Sequence, residues 1–400
     1  MRVTTKSVIS IAIILSAFFF TACTPPQRQH AVPREFTGQA EIPGMPGVRY
    51  LVRSDAIPEL VHEGTESFYK EMAYLSRDGK TPDPLPSADF LALSGGGDSG
   101  AFGAGLLCGW SKEGSRPSFK LVTGISTGAL LAPFAFLGAE YDPVLREVYT
   151  NYKPEDILKP RIILAALTDD AMADNAPLGR LTEKYITQDT LQAIAREYVK
   201  GRLLFIATTN LDARQSVIWN MTKIAASNHP DALGLFRKIM LASAAIPGAF
   251  PPSMFDVEVN GKPYQEMHVD GGATAQVFVY PPSYKLAEIS KQHGVDRERR
   301  LYLIRNSRLD SDWAEVERQT LSIAGRAITS LIQTQGVGDL FRIYSITSRD
   351  GIDYNLAYIP KSFQVIHKEE FDTTYMRSLF QRGYDMALKG YPWEKQPPGF

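Results

Sequence analysis

The chain has 400 residues, a mass of 44.3 kDa and a net charge of −1, from 43 Lys+Arg against 44 Asp+Glu. That balance argues against a nucleic-acid binder, which carries a basic excess, and 22% charged with 44% hydrophobic residues argues against a disordered or fibrous chain. Two cysteines, Cys23 and Cys108, exclude a disulfide-stapled scaffold and a Cys-rich zinc fold, and the length suits one large domain or two ordinary ones.

Arg2 and Lys6 precede an almost wholly apolar run from Val8 to Phe20. The run is too short to span a bilayer comfortably and predicts a signal peptide over residues 1–22. It ends in Phe20-Thr21-Ala22-Cys23, which resembles the lipobox of bacterial lipoproteins, with Phe20 where Leu is usual. The resemblance implies cleavage before Cys23 and lipidation of that cysteine, leaving Cys108 as a lone thiol. Several acyl chains would hold the protein on a membrane. Thr24 in place of Asp after the cysteine leans toward the outer membrane. The expected location is therefore the bacterial cell envelope, after export.

Residues 23–87 read as a lipidated tether and N-terminal extension. Residues 24–48 are polar and rich in Pro and Gly. Arg49 to Asp78 has room for a strand and a short helix, and a Pro-rich stretch from Thr81 to Ser87 closes the region. From Ala88 the pattern becomes apolar. Phe90–Leu93, Phe119–Val122, Leu203–Ala207 and Leu301–Ile304 read as buried strands, and Ser216–Trp219 as a further strand. Thr127–Leu137, Asp231–Ala245, Ile323–Ile332 and Tyr375–Leu388 read as helices, and Ser330–Ile346 as amphipathic. Val257–Val259 and Tyr264–Val269, joined across Asn260-Gly261, read as a hairpin. Apolar strands alternating with helices predict an α/β fold with a mostly parallel central sheet flanked by helices. The expected division is a catalytic domain over 88–290 and a C-terminal region, 291–400, packed on it.

Two motifs follow strands. Ser94-Gly95-Gly96-Gly97-Asp98-Ser99-Gly100 meets the spacing of a dinucleotide fingerprint. The next strand lacks the acid such a site needs, and no Lys follows Gly100 to make a Walker loop. A glycine loop that opens a helix still presents backbone N–H groups to an anion, a transient oxyanion included. Gly124-Ile125-Ser126-Thr127-Gly128 is a nucleophile elbow, with Gly124 and Gly128 allowing close approach so that the Ser126 hydroxyl stands exposed.

A serine nucleophile needs a base. Of six histidines, His30, His62, His229, His293 and His367 have no supporting motif. Asp270, in His268-Val269-Asp270-Gly271-Gly272, ends a strand before two glycines, where a carboxylate can point into a site. His268 shares its strand face, so a Ser126–His268–Asp270 triad is an alternative to a structural or substrate-contacting His268. An ordinary Ser–Asp–His order using His293 or His367 is another.

In order, the glycine loop, the elbow and the Asp-Gly-Gly resemble the patatin-like phospholipases, whose signatures are G-G-G-x-x-G, G-x-S-x-G and D-G-[GA]. Ala242-Ser243-Ala244-Ala245-Ile246-Pro247-Gly248-Ala249-Phe250-Pro251-Pro252 resembles the family's Ser/Ala-rich stretch running into Phe-Pro-Pro. The likeness covers about Phe90 to Gln276. It implies a Ser126–Asp270 dyad without histidine, metal or other cofactor, and an oxyanion hole at Gly95, Gly96 and Gly97. It implies phospholipid or another acyl-ester lipid as substrate, met at a membrane. Many members carry Arg or Lys just before the last glycine of the first motif. Here Ser99 stands there, preceded by Asp98, which bears on substrate preference; a helix-start carboxylate is the expected role of Asp98. Two other functions stay open: an acyltransferase using the same acyl-enzyme, and a non-catalytic lipid-binding envelope lipoprotein. Phe102, Leu106, Leu107 and Trp110 are expected in the core rather than in an acyl pocket.

Overall fold

The structure is a computed structural model that describes residues 28–52, 58–161, 170–310 and 313–400. The expected signal peptide and Cys23 lie outside the described residues. Among the described residues no helix is long and apolar enough to cross a membrane.

Among the described residues nine strands form the main sheet. They are β1 (Arg49–Leu51), β2 (Ala88–Leu93), β3 (Leu121–Gly124), β4 (Leu203–Asn210), β5 (Gln215–Asn220), β6 (Ser253–Val259), β7 (Lys262–Asp270), β8 (Arg299–Arg305) and β9 (Asp353–Tyr358). The order is β1-β5-β4-β3-β2-β8-β9, with the β6–β7 hairpin joined to β4. Strands β4, β3, β2, β8 and β9 are parallel, and β1, β5, β6 and β7 are attached by antiparallel pairs. Every residue of β2, β3 and β4 is buried, as expected of strands covered on both faces. Strand β6 alternates buried and exposed positions and has one wet face. Asn260 and Gly261 both take positive φ, 51° and 74°, and close the β6–β7 turn as the Asn-Gly pair predicts.

Alternation along the parallel strands divides the core. Leu91, Leu93, Val122, Leu204 and Ile206 face one side, where they meet α2 (Gly100–Glu113) and α3 (Thr127–Leu137). Ala88, Phe90, Leu121, Leu203 and Phe205 face the other, toward Leu60 of α1 (Pro58–Leu75) and Leu340, Ile343 and Ile346 of a 30-residue helix, Thr320–Arg349. Phe102, Leu106, Leu107 and Trp110 lie in the core, and Cys108 is buried and unpaired, its thiol pushed up to about 12 by burial.

The sheet runs through the expected boundary at residue 290. Strand β8 pairs with β2 in parallel, Leu301 opposite Phe90 and Ile304 opposite Leu93, and β9 continues it. The long helix is amphipathic only in its second half. Its first half leaves Ile323 (51%), Ile328 (55%) and Leu331 (70%) exposed, and Trp313 just before it is 88% exposed.

Candidate active site

The elbow starts where β3 runs out. After Gly124 the chain reverses into α3, and Ser126 sits at the corner with φ 55° and ψ −125°. A non-glycine residue in that region costs of order 1–3 kcal/mol and persists only where its surroundings hold it. They do so through backbone groups. Ile125 N–H donates to Leu93 O (3.2 Å), and Ser126 N–H to Ser243 Oγ (3.0 Å), whose hydroxyl donates in turn to Ala207 O (2.7 Å). Gly124 and Gly128 are required by contact. A Cβ on Gly124 would run into the Gly128 carbonyl, and one on Gly128 into that of Leu93.

Sheet register brings Asp270 to the serine. Strand β5 takes one edge of β4 from Phe205 to Asn210. On the other edge β3 pairs only as far as Gly124–Ile206, and β7 takes over two residues further on, with Asp270 opposite Thr208. Asp270 therefore occupies the place beside β4 that β3 vacates on turning at the elbow. Its buried carboxylate accepts from Gly272 N–H (2.7 Å) and lies beside the Ser126 hydroxyl. Burial pushes this carboxyl up to about 7, although the Ser126 hydroxyl and the Gly272 N–H work in the opposite direction. Its charge therefore changes near neutrality, which that of an ordinary aspartate does not.

The glycine loop lies over the serine. A Cβ on Gly95 would come within 3.2 Å of Ser126 Cβ. The Gly95 N–H is spent on Gln276 O (3.0 Å), so Gly95 cannot serve the oxyanion hole as an amide donor and the expected trio reduces to two. Among the described residues the N–H groups of Gly96 and Gly97 have no partner, and both are turned by positive φ, 155° and 56°. A Cβ on Gly96 would strike Asn306 O. Asn306 anchors the loop from β8, its Nδ2 donating to Ser94 O (2.9 Å) and its N–H to Ser94 Oγ (2.8 Å).

Asp98 lies in the first turn of the 3-10 helix Gly97–Ser99 that leads into α2, as expected of a helix-start carboxylate. Its carboxylate also binds His367 Nε2 (2.6 Å) and Phe371 N–H (2.9 Å), tying the C-terminal segment to the glycine loop. Asp98, His367 and Glu370 place one possible metal-ligand atom each within 4.8 Å of one another. Asp98 and His367 are joined by a direct hydrogen bond, and the Glu370 carboxyl is pushed up by desolvation and by Asp98. His268 is fully buried with no contact to Ser126. Its Nδ1 pairs with Thr208 Oγ1 (2.8 Å) and its Nε2 with Glu266 (3.0 Å), which also binds Arg49 (2.7 Å). Burial lowers its pKa, so it is a neutral structural residue beneath the site. His293 lies against Tyr69, remote from the dyad.

Beside Ser126 opens a cavity of about 80 Å³ with apolar walls, including Leu130, Phe134, Leu178, Met240 and Phe371. Ser243, Gln276 and Asn306 are residues that sequence reasoning does not place at the site, and His367 enters it only as the base of an alternative Ser–Asp–His order, a contact the structure does not make. Only Ser243 falls in a recognised block, for its composition rather than for its hydroxyl. The others meet the site through contacts more than a hundred residues away in the chain, which leave no local pattern.

An elbow serine beside a buried aspartate under a glycine loop, at the carboxyl ends of a parallel sheet, is an arrangement that α/β serine hydrolases use. Residues 91–281 match the model of the patatin-like phospholipases. No curated protein matches the chain. Among solved structures it is similar to VipD from Legionella pneumophila, with 12% sequence identity and a TM-score of 0.33; the match covers 76% of this chain and 66% of that one.

Proposed function

We propose that the protein is a serine acyl-ester hydrolase of membrane lipids, of phospholipase or lysophospholipase type, working through Ser126 and Asp270. The observation that carries this reading is the Ser126 hydroxyl beside a buried, weakly acidic Asp270 at an apolar cavity. Ser126 Oγ attacks the ester carbonyl as Asp270 takes its proton. The N–H groups of Gly96 and Gly97 receive the developing oxyanion, each contributing about 3 kcal/mol by analogy with single-donor deletions. The tetrahedral intermediate expels the alcohol, which takes the proton from Asp270. A water activated by the same carboxylate then releases the acyl group as a carboxylic acid.

A membrane substrate is supported by the exposed first half of helix Thr320–Arg349. Gln335 on this helix reaches Gln276 of the active-site loop (3.5 Å), so the exposed Ile328 and Leu331 extend outward from the rim of the site. Such a patch suits a bilayer interface, with Trp313 as an aromatic anchor. Anchoring through lipidated Cys23 belongs to the same proposal, and a Cys23→Ser chain is expected in the soluble rather than the membrane fraction. The reading is tested with a p-nitrophenyl ester and with phospholipid vesicles. Hydrolysis of both by the intact chain, absent from folded Ser126→Ala, is expected; equal activity in the two would overturn it.

A further inference from the structure

A second cavity, of about 130 Å³, lies on the opposite face of the sheet. Its floor is made by the amino-terminal ends of the parallel strands: Ala88 and Phe90, Lys120 and Leu121, Leu203 and Phe205. Ser126 follows the carboxyl end of β3, five residues beyond Leu121, so about 16 Å of strand separates the two sites. Leu60 and Phe68 of α1 and Ile289 of the short helix Leu286–Gln292 form the walls.

The charges on this cavity do not cancel. Lys120 and Arg297 share one carboxylate, Glu71, at 2.8 and 2.9 Å. Arg299, also on the wall, forms no direct ion pair among the described residues, although Asp296 and Asp350 act on it through space. Its guanidinium donates only to neutral oxygens, Ser290 Oγ (2.8 Å) and Arg297 O (3.4 Å). Among the side chains that line the cavity, three cations thus face one anion beside an apolar floor. Desolvation and Arg297 lower the Arg299 pKa, against the smaller opposing effects of Tyr280, Asp296 and Asp350. An unmatched guanidinium at the edge of an apolar hollow is complementary to a carboxylate carried on a hydrocarbon chain.

We propose that this cavity binds a medium-chain fatty acid, its carboxylate on Arg299 and its chain against Leu60, Phe68, Phe90 and Phe205. The room matches the length. A cavity of ~150 Å³ holds a benzene ring, so this one takes about six carbons, and the remainder of a chain of about ten extends along the wall toward Arg299. The site uses none of the groups assigned to ester hydrolysis and does not depend on that assignment.

The test is calorimetric titration of decanoate into the full chain. Four variants locate the binding. Arg299→Gln removes the charge and keeps a donor for Ser290. Thr65→Phe fills the cavity from α1. Arg299→Lys retains the charge. Leu130→Trp fills the cavity beside Ser126 instead. The expected result is binding weakened about tenfold or more by Arg299→Gln and by Thr65→Phe, largely kept by Arg299→Lys and unchanged by Leu130→Trp. Decanol, without the charge, and acetate, without the chain, are expected to bind at least about tenfold more weakly than decanoate. Unfolding curves confirm that each variant is folded. Decanoate affinity unaltered by both Arg299→Gln and Thr65→Phe, loss of it in Leu130→Trp alone, or decanol binding as well as decanoate would overturn the proposal. A Ser126→Ala chain without esterase activity that still binds decanoate separates this site from the catalytic reading.

Discussion

The two cavities lie on opposite faces of one sheet and toward opposite ends of its parallel strands, and both have mainly apolar walls. Their polar groups differ in kind. Beside Ser126 the polar groups without a partner among the described residues are the uncharged N–H dipoles of Gly96 and Gly97, and His367 is engaged by Asp98. On the other face the polar groups are full charges, Lys120, Arg297 and Arg299, with no nucleophile poised among them. Fixed dipoles suit a charge that exists only in a transition state, because they gain most when it develops and do not hold an anionic product. Permanent cations suit a ligand that is an anion throughout. The difference separates a place for turnover from a place for retention.

The largest effects are expected where that contrast rests on one atom. Ser126→Ala should lower ester hydrolysis by about 10⁴-fold or more, measured on a p-nitrophenyl ester, with the folding transition intact. Asp270→Asn should do nearly as much, about 10³-fold, because the amide keeps the Gly272 contact but cannot take the serine proton. Activity within tenfold of the parent in either variant would remove the dyad.

The Asp270 carboxyl, pushed up to about 7, also sets the pH dependence. The base works only when ionised, so kcat/KM should climb as pH rises through about 7 and level off above it. Stability should move the other way. The folded state holds this proton more tightly than the unfolded chain, whose carboxyl titrates near its ordinary value of 3.8. The group's favourable contribution is therefore complete below that ordinary value and is lost as pH rises through about 7. A difference of about three pKa units corresponds to roughly 4 kcal/mol as an upper bound. Asp270→Asn should accordingly be the more stable protein at pH 8, with the advantage vanishing near pH 4, in paired denaturation curves. A parent equally stable at both pH values relative to the Asn variant would contradict the burial argument.

Sequence reading reached the parts of this site that are written locally. The glycines at 124 and 128 frame a serine at a strand-to-helix corner, and the Asp-Gly-Gly ends a strand, so both motifs could be seen in a few residues. The expected helix Thr127–Leu137 and the Asn-Gly hairpin have the same local character. What was not legible depends on register and on distant contacts. That Gly95 gives up its amide follows from Gln276, 181 residues on. That Asp98 turns to His367 follows from a segment 269 residues away. The boundary placed at residue 290 reflected the end of the recognised motifs, whereas β8 completes the same parallel sheet because its apolar run pairs with β2. The helix Ile323–Ile332 and the amphipathic stretch Ser330–Ile346 are one continuous helix, and packing claims its second half, where the amphipathic pattern lies.

The exposed half of that helix sharpens the contrast from the membrane side. Leu331→Glu places a charge on a residue that is 70% exposed, so the fold should tolerate it. Hydrolysis of vesicle phospholipid should fall about tenfold, since a carboxylate at the interface opposes insertion, while turnover of a soluble ester stays within about twofold. A parallel loss on both substrates would mean that the helix supports the site rather than meeting the bilayer.

The smallest effect is expected at the strap between Asp98 and the C-terminal segment. His367 touches neither Ser126 nor Asp270; it binds the residue after Gly97, and the same carboxylate holds Phe371 N–H. Phe371 has a φ of 63° and lines the cavity beside the serine, so the strap sets both the loop and one wall of the acyl space. His367→Ala leaves the Phe371 bond in place and removes a partner that is itself about one third exposed. Turnover should therefore drop only about threefold to fivefold, within the range for losing one partly solvated hydrogen bond. The loss should grow with the acyl length of the ester series, because the wall matters more to a chain that fills the cavity. A uniform loss across chain lengths would place the strap's influence on the oxyanion amides instead, and a loss as large as that of Asp270→Asn would make His367 a participant in the chemistry.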